Sequence, residues 1–329
     1  MSDTKPKDLI ILIDANNTCF RVGWGNKHLT NQGEPTGVIY GFLREILGVW
    51  ERWKHAKIGI IWDCPSDYRK DLSKEGILKG IISEEQGYYK QNRERQRAKD
   101  EDTGKINEVA EAIGIQKPTL REVLSKTLAH QIKIDGFEAD DIIGTLARMH
   151  SEKGDLVKII SSDKDMYQLL SEQVSIFTLG GKNNMSYERF VGEFGISPTQ
   201  WIDVGALAGD NSDNIHGVKG IGEKTAIKLL TEAEKALEKE EGTATYFDVL
   251  DYLSQKEEKK RKKKEQKVIE SEEIIHLAYK LKKILTDVDC SEYVTYLPSN
   301  PRDLKKMLAS LGFNSIIGST GLLARRASI

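Results

Sequence analysis

Residues 8–14, Asp-Leu-Ile-Ile-Leu-Ile-Asp, and residues 57–63, Lys-Ile-Gly-Ile-Ile-Trp-Asp, are short apolar runs that each end on an aspartate. An uninterrupted apolar run of this length reads as a strand buried on both faces. The first spans Asp8–Ile13 and stops at Asp14; the second spans Lys57–Trp62 and stops at Asp63. Between them, residues 36–53 bring Val38, Phe42, Ile46, Val49, Trp50 and Trp53 to one face at helical spacing. Strand, helix and strand in that order form a βαβ unit, whose strands must be parallel.

The pattern continues along the chain. His130–Ile134, Leu156–Ile160 and Val174–Thr178 read as further strands, and Lys117–Ala129 as a helix. Ala139–His150 reads as another, burying Ile142, Ile143, Leu146, Ala147 and Met149. Residues 1–180 are therefore expected to form a doubly wound α/β domain, a mostly parallel sheet flanked by helices, with an insertion over about 64–130. Within that insertion, residues 64–105 carry almost no apolar stripe, and composition leaves a solvated linker and a functional excursion both open. Residues 181–329 turn helical, with stretches 199–207 and 223–239 on either side of Gly-Val-Lys-Gly-Ile-Gly at 217–222. Residues 255–267 are a charge run of eight Lys/Arg against three Glu, an exposed helix or a loop. Residues 301–313 read as a short helix ended by Gly312.

Composition narrows the class. Hydrophobic residues make up 39% and charged residues 30% of 329, with a mean hydropathy of −0.47, which is the profile of a globular chain. No apolar run approaches the roughly 20 residues of a membrane span. The first seven residues lack a signal-peptide core, and Cys19, Cys64 and Cys290 are scattered without metal-type spacing. The expected home is a reducing cytoplasm. The net charge of −2 conceals segregation: eight acids lie in residues 135–165, whereas residues 88–99 hold five bases and one acid, Glu94. Metal in one place and phosphate in another would produce this local polarity.

The acids fall at informative places. Asp14, Asp63 and Asp163 each follow a predicted parallel strand, at the sheet edge where ligands of open α/β folds bind. Asp165 lies on the same rim, and Glu138, Asp140 and Asp141 open a predicted helix. Acids at a helix start are ordinary capping residues, and any one of these has that alternative. So many carboxylates in one crevice would repel unless cations neutralise them. Oxygen ligands without His or Cys favour Mg²⁺ or Mn²⁺, and two such ions about 4 Å apart suit phosphodiester hydrolysis. Asp210 and Asp213 follow in a Gly/Asn/Ser-rich turn, a commonplace setting for such residues. The glycine-rich turn after them is either a plain helix connection or a hairpin whose amides grip a DNA phosphate.

Four blocks in order carry a family likeness: Ile11-Leu-Ile-Asp-Ala-Asn-Asn, Gly136-Phe-Glu-Ala-Asp-Asp-Ile, Ile160-Ser-Ser-Asp-Lys-Asp-Met-Tyr-Gln-Leu-Leu, and Gly209-Asp-Asn-Ser-Asp-Asn-Ile-His-Gly-Val-Lys-Gly-Ile-Gly. Over residues 8–235 the chain resembles the 5′-nuclease superfamily: flap endonucleases, the 5′-nuclease domain of bacterial DNA polymerase I, and stand-alone bacteriophage 5′–3′ exonucleases. With no polymerase following in the sequence, the stand-alone phage type is expected, and the likeness implies the cytoplasm of a bacterial or phage-infected cell. The resemblance implies a PIN-like core, a helical arch made by the insertion, and a helix–hairpin–helix module over about 199–240. It implies one metal at Asp14, Asp63, Glu138 and Asp140, with Asp141 close by. A second is implied at Asp163, Asp165 and Asp213, with Asp210 as an outer ligand acting through water. At the arch base it directs Lys90 and Arg93 at the scissile phosphate and Tyr89 at a base, with Asn92 beside them. At the hairpin it implies DNA contacts from Gly217, Val218, Lys219, Gly220, Ile221, Gly222 and Lys224, with a monovalent cation such as K⁺. Gly205 departs from the pattern, since some stand-alone relatives carry a lysine there.

The expected function is a 5′–3′ exonuclease and flap endonuclease that removes RNA primers or flaps in replication or repair. Its expected partners are 5′ flaps, nicks and 5′ ends of DNA, RNA–DNA hybrids and replication proteins, and the expected state is a monomer. Two other readings are a PIN-like ribonuclease, which usually lacks the arch and hairpin, and a non-catalytic DNA-junction binder, which would have broken ligands. The five-base stretch near Tyr88 and Tyr89 is expected to lack order without DNA, having nothing apolar to hold it.

Overall fold

The computed structural model describes residues 8–102, 107–178, 184–291 and 301–323. The amino-terminal residues read as leaderless and the expected division at 180/181 lie outside the described residues. The chain runs β1 (Leu9–Asp14), α1 (Ala15–Gly25), a short hairpin β2 (Thr30–Asn31) and β3 (Glu34–Pro35), α2 (Gly37–Arg52), β4 (Lys57–Ile61), α3 (Asp67–Leu78), α4 (Gln91–Asp102), α5 (Glu108–Leu124), β5 (His130–Ile132), α6 (Ala139–Glu152), β6 (Leu156–Ile160) and β7 (Val174–Phe177). There follow α7 (Tyr187–Phe194), α8 (Trp201–Ala208), α9 (Glu223–Ala236), α10 (Tyr246–Gln255), α11 (Lys263–Glu270), α12 (Glu272–Lys282) and α13 (Pro301–Ser310).

Five strands form a wholly parallel sheet in the order β5-β4-β1-β6-β7. Ile13 lies opposite Ile60 in β4 and Ile160 in β6, so Asp14, Asp63 and Asp163 all emerge at the same carboxyl edge. Strand alternation divides the core into two layers. Ile10 and Leu12 join Val157, Ile159 and Ile176 on one face, under α6 and the later helices. Ile11 and Ile13 join Ile58 and Ile60 on the other, under α1, α2, α5 and α13. The first layer is continuous from Ile10 to Leu281, so the carboxyl-terminal helices share the sheet's core.

Three expectations change. Residues 64–102 are not a bare linker: Ser66 caps α3, its hydroxyl accepting from the Arg69 amide at 3.3 Å. That helix has no apolar stripe because its buried positions are Arg69, Ser73 and Gly76. A Cβ at Gly76 would lie 2.5 Å from Leu277 of α12, so the glycine permits a close helix crossing. Four of the five bases, Arg93, Arg95, Arg97 and Lys99, fall in the helix α4 and Lys90 precedes it; residues 103–106 lie outside the described residues. Finally, α5 begins nine residues before the expected Lys117, capped by Asn107, whose side chain accepts from the Ala110 amide at 3.1 Å. Pro118 lies inside this helix. In the charge run, Lys263–Glu270 is helical, and Arg261 donates to the carbonyls of Leu253, Ser254 and Lys256.

Candidate metal centre

The centre is built on the ends of β1, β4 and β6, the start of α6, and the turn after α8. Asp14 ends β1 and caps α1: one oxygen accepts from the Asn17 amide at 3.0 Å and the other from the Ser161 hydroxyl at 3.2 Å. Its carboxyl is pushed up to about 6, chiefly by burial, with the charges of Asp63 and Asp163 adding to the effect. Asp63 accepts from the Ala139 amide at 3.1 Å, joining β4 to the start of α6, and burial raises its carboxyl too. Burial, then the charges of Asp163 and Asp14, push Asp140 well above the ordinary range. Groups held so far from their preferred ionisation are waiting for positive charge.

The turn after α8 brings the second group together. Gly209 (φ +73) and Gly217 pack backbone to backbone; a Cβ on Gly209 would sit 2.4 Å from the Gly217 nitrogen. Paired amide–carbonyl bonds between Asp210 and Ile215, at 2.7 and 2.8 Å, close the turn. As a result Asp165, Asp210 and Asp213 offer carboxylate oxygens within 4.8 Å of one another. Asp210 therefore stands inside the group rather than as an outlier to it. The charge of Asp163 raises the carboxyls of Asp14, Asp140 and Asp165 alike, so it stands between the two groups, its own oxygen accepting from the Asp165 amide at 2.9 Å.

Basic side chains already reach into this crevice. Lys90 donates to Glu138 at 2.6 Å, and Arg93 pairs with Asp213. Lys90 is in the left-handed region (φ +58), with its amide on the Asp213 carbonyl at 2.8 Å. Asn92 donates to the Asn211 carbonyl at 2.6 Å, and Asn214 donates to the carbonyls of Gln86 and Tyr88, each at 2.9 Å. The segment from Gln86 to Arg93 and the Asp210–Asp213 turn are thus stitched together. The Lys90 ammonium is disfavoured by burial, yet the charges of Glu138 and Asp213 hold it above its ordinary value.

Two expected roles do not match where the side chains lie. Asp141 is fully buried and bonded twice to Arg69, at 2.7 Å each, with the Leu285 amide at 2.9 Å on one oxygen. Its oxygens are committed to the core. Tyr89 is buried, its hydroxyl donating to Glu138 at 2.9 Å, with Asp213 at 3.3 Å. In this arrangement it orients two carboxylates and offers no ring face to a base. At the hairpin, the Val218 and Ile221 amides donate to the carbonyls of Leu207 and Val218, and both side chains are buried. Exposure falls to Lys219, Gly220, Gly222 and Lys224, with Gly220 at φ +92 and Gly222 capping α9.

Sequence reasoning missed Arg69 and Lys282. Lys282, at the end of α12, bonds both oxygens of Asp165 at 2.5 and 2.6 Å and Asp210 at 2.8 Å. Burial opposes Asp210's charge, but Lys282 outweighs it and holds that carboxyl down to about 2. Burial wins at Asp165, which stays up at about 6 despite the same lysine. No spacing in the sequence announces either basic residue.

The donor set fits a hard divalent cation: carboxylate oxygens only, partly buried, with Asp14, Asp63, Asp140 and Asp165 raised chiefly by burial. Among the described residues, no helix is long and apolar enough to cross a membrane.

Comparison with known proteins agrees. A family model described as 5′-3′ exonuclease, N-terminal resolvase-like domain, matches residues 9–195, and one described as 5′-3′ exonuclease, C-terminal SAM fold, matches residues 196–305. The 5′-3′ exonuclease of Aquifex aeolicus is 30% identical over 323 residues, covering 97% of each chain. DNA polymerase I of Deinococcus radiodurans is 32% identical over 333 residues, 96% of this chain and 30% of that one. The thermostable DNA polymerase I of Thermus thermophilus is 27% identical, over 99% of this chain and 34% of its own length. The chain thus spans about a third of the curated polymerases it matches. Among solved structures, T5 5′-exonuclease with bound divalent metal ions (zinc) superposes with a TM-score of 0.65 at 20% identity, covering 96% of this chain and all of that one. The catalytic core of Rad2 in complex with DNA substrate gives 0.57 at 15% identity, covering 96% of this chain and 92% of that one. At these identities the two structures speak for the fold.

Proposed function

Because this chain belongs to the 5′-3′ exonuclease family, we propose that it is a structure-specific 5′ nuclease acting on 5′ flaps, nicks and 5′ ends of DNA, and on RNA–DNA hybrids during primer removal. The observation that carries this reading is the gathering of Asp165, Asp210 and Asp213 beside the Asp14–Asp140–Asp163 group, under the Lys90–Arg93 base of the arch.

Two Mg²⁺ or Mn²⁺ ions, when bound, would supply the positive charge that favours attack by water and departure of the leaving oxygen. Asp14, Asp63, Glu138, Asp140 and Asp163 would hold one, and Asp165, Asp210 and Asp213 the other. Asp141 holds Arg69 instead. Lys90 and Arg93, now paired with carboxylates, are positioned to turn to the scissile phosphate once cations relieve those carboxylates, adding charge where the transition state develops it. Tyr89 and Asn92 keep the arch base against the turn. Lys219, Lys224 and the backbone at Gly220 and Gly222 would grip the duplex by phosphate, without reading bases. A monovalent cation such as K⁺ at the hairpin belongs to the same reading, as do a monomeric state and contacts with replication proteins.

The test is cleavage of labelled 5′-flap, nicked and single-stranded substrates, with and without Mg²⁺. Asp163→Asn and Asp140→Asn keep side-chain shape and remove charge, so folding is expected to persist while cleavage collapses. Full Mg²⁺-dependent cleavage by both variants would sink the reading.

A further inference from the structure

Lys282 is only 7% exposed, and its ammonium sits among Asp165 and Asp210 in the place a cation would take. Its stem crosses Gly205: a Cβ there would lie 3.0 Å from Lys282 Cε and 3.5 Å from Cγ. The backbone around it is fixed as well. Arg69 donates to the Leu281 carbonyl at 3.1 Å and the Lys283 carbonyl at 2.9 Å, while Gln168 donates to that of Lys282 itself at 3.1 Å. A buried guanidinium on one side and a glycine gap on the other aim this lysine at the carboxylates.

We propose that Lys282 is a tethered counter-ion of Asp165 and Asp210 within the Asp165–Asp210–Asp213 group, holding those two together before a divalent ion arrives and competing with that ion for their oxygens. The inference rests on the reading of this group as a metal site. Three carboxylates within 4.8 Å repel one another, and an ammonium among them neutralises part of that charge. A divalent ion entering here must displace a buried, multiply bonded lysine, and the cost of breaking that pairing is subtracted from its affinity. Lys282 thus acts as a positioning residue that sets the metal concentration at which this half of the centre fills.

Mn²⁺ binding to metal-free protein, followed by calorimetry, tests this. Lys282→Met removes the charge and keeps the stem, and should bind Mn²⁺ at this site at least about tenfold more tightly. Asp165→Asn identifies the site, since it should abolish the same binding step. The melting temperature of Lys282→Met should fall in metal-free buffer and recover on adding Mn²⁺. Gly205→Ala keeps every charge while crowding the stem, and should tighten Mn²⁺ binding to a smaller degree. A purely structural lysine would, on removal, weaken metal binding. Unchanged or weaker Mn²⁺ affinity in folded Lys282→Met would therefore overturn the proposal. Should that variant fail to fold, unchanged affinity in Gly205→Ala would do the same. Absence of Mn²⁺ binding by the unaltered protein would instead overturn the metal reading on which it rests.

Discussion

Arg69 and Asp141 form a two-pronged ion pair in the interior, with both bonds at 2.7 Å and side-chain exposures of 3% and 0%. The pair joins α3 to α6, and through the carbonyls of Leu281 and Lys283 it also fastens the end of α12. An acid in the middle of the Glu138–Asp140–Asp141 cluster is here a structural anchor.

Breaking this pair should cost stability rather than metal affinity alone. Removing one partner leaves a buried charge uncompensated, and about 3–5 kcal/mol is expected for Arg69→Met or Asp141→Asn by urea unfolding. The double variant should lose less than the sum, because the second change removes the charge stranded by the first. A fully additive pair of losses would show that the two groups do not act together.

The raised carboxyls make metal-free stability depend on pH. Asp14 is held at about 6 by burial and its neighbours' charges, above the unfolded value near 3.9, so between those limits the folded state binds the extra proton. Its stabilising contribution is present at low pH and is lost as pH rises through about 6. His216 and His276, held below their ordinary value mainly by burial, act in the opposite sense. The comparison is therefore made with Asp14→Asn. Between pH 5 and pH 7.5 the unaltered protein should lose melting temperature relative to this variant in chelator, and Mg²⁺ should narrow the gap. A gap that stays constant across this range would refute the assignment.

Lys90→Ala should slow the chemical step by about 10²-fold while changing substrate affinity far less, since charge at the scissile phosphate matters most in the transition state. Single-turnover rates against binding titrations will separate the two. A bulky block fixed to the 5′ terminus before mixing should prevent cleavage, whereas one added after the complex forms should trap it. Normal single-turnover rates together with efficient cutting of pre-blocked flaps would remove the arch from both threading and chemistry.

The hairpin should serve affinity. Replacing exposed Lys219 and Lys224 together by alanine should weaken duplex binding equally across sequences and lower the salt slope by about 2. Short single strands should be cleaved at nearly the original rate. An unaltered salt slope would leave the turn as a helix connection only.

Much of the framework was legible. The runs ending at Asp14 and Asp63 announced parallel strands because a strand covered on both faces has no polar alternation to hide it. The same logic put Asp163 on their rim, and the glycines at 217–222 marked a turn between α8 and α9. α1 was not read: its sequence, Ala-Asn-Asn-Thr-Cys-Phe-Arg-Val-Gly-Trp-Gly, mixes helix formers with glycine and polar residues, and Phe20 and Trp24 are exposed. α3 was hidden for the opposite reason, burying Arg69, Ser73 and Gly76 instead of an apolar stripe.

What the sequence alone determined was which strands make the central sheet, where each begins, and which acids follow β1, β4 and β6, because short-range periodicity and chain direction are enough for that. Which acid pairs with which basic or hydroxyl group was decided only by tertiary structure. Asp141 is taken by Arg69 from 72 residues away, Tyr89 folds its hydroxyl onto Glu138, and Lys282 crosses 117 residues to reach Asp165. A carboxylate's role depends on the nearest opposite charge and on its access to water, and both are properties of packing between distant segments that no local pattern encodes.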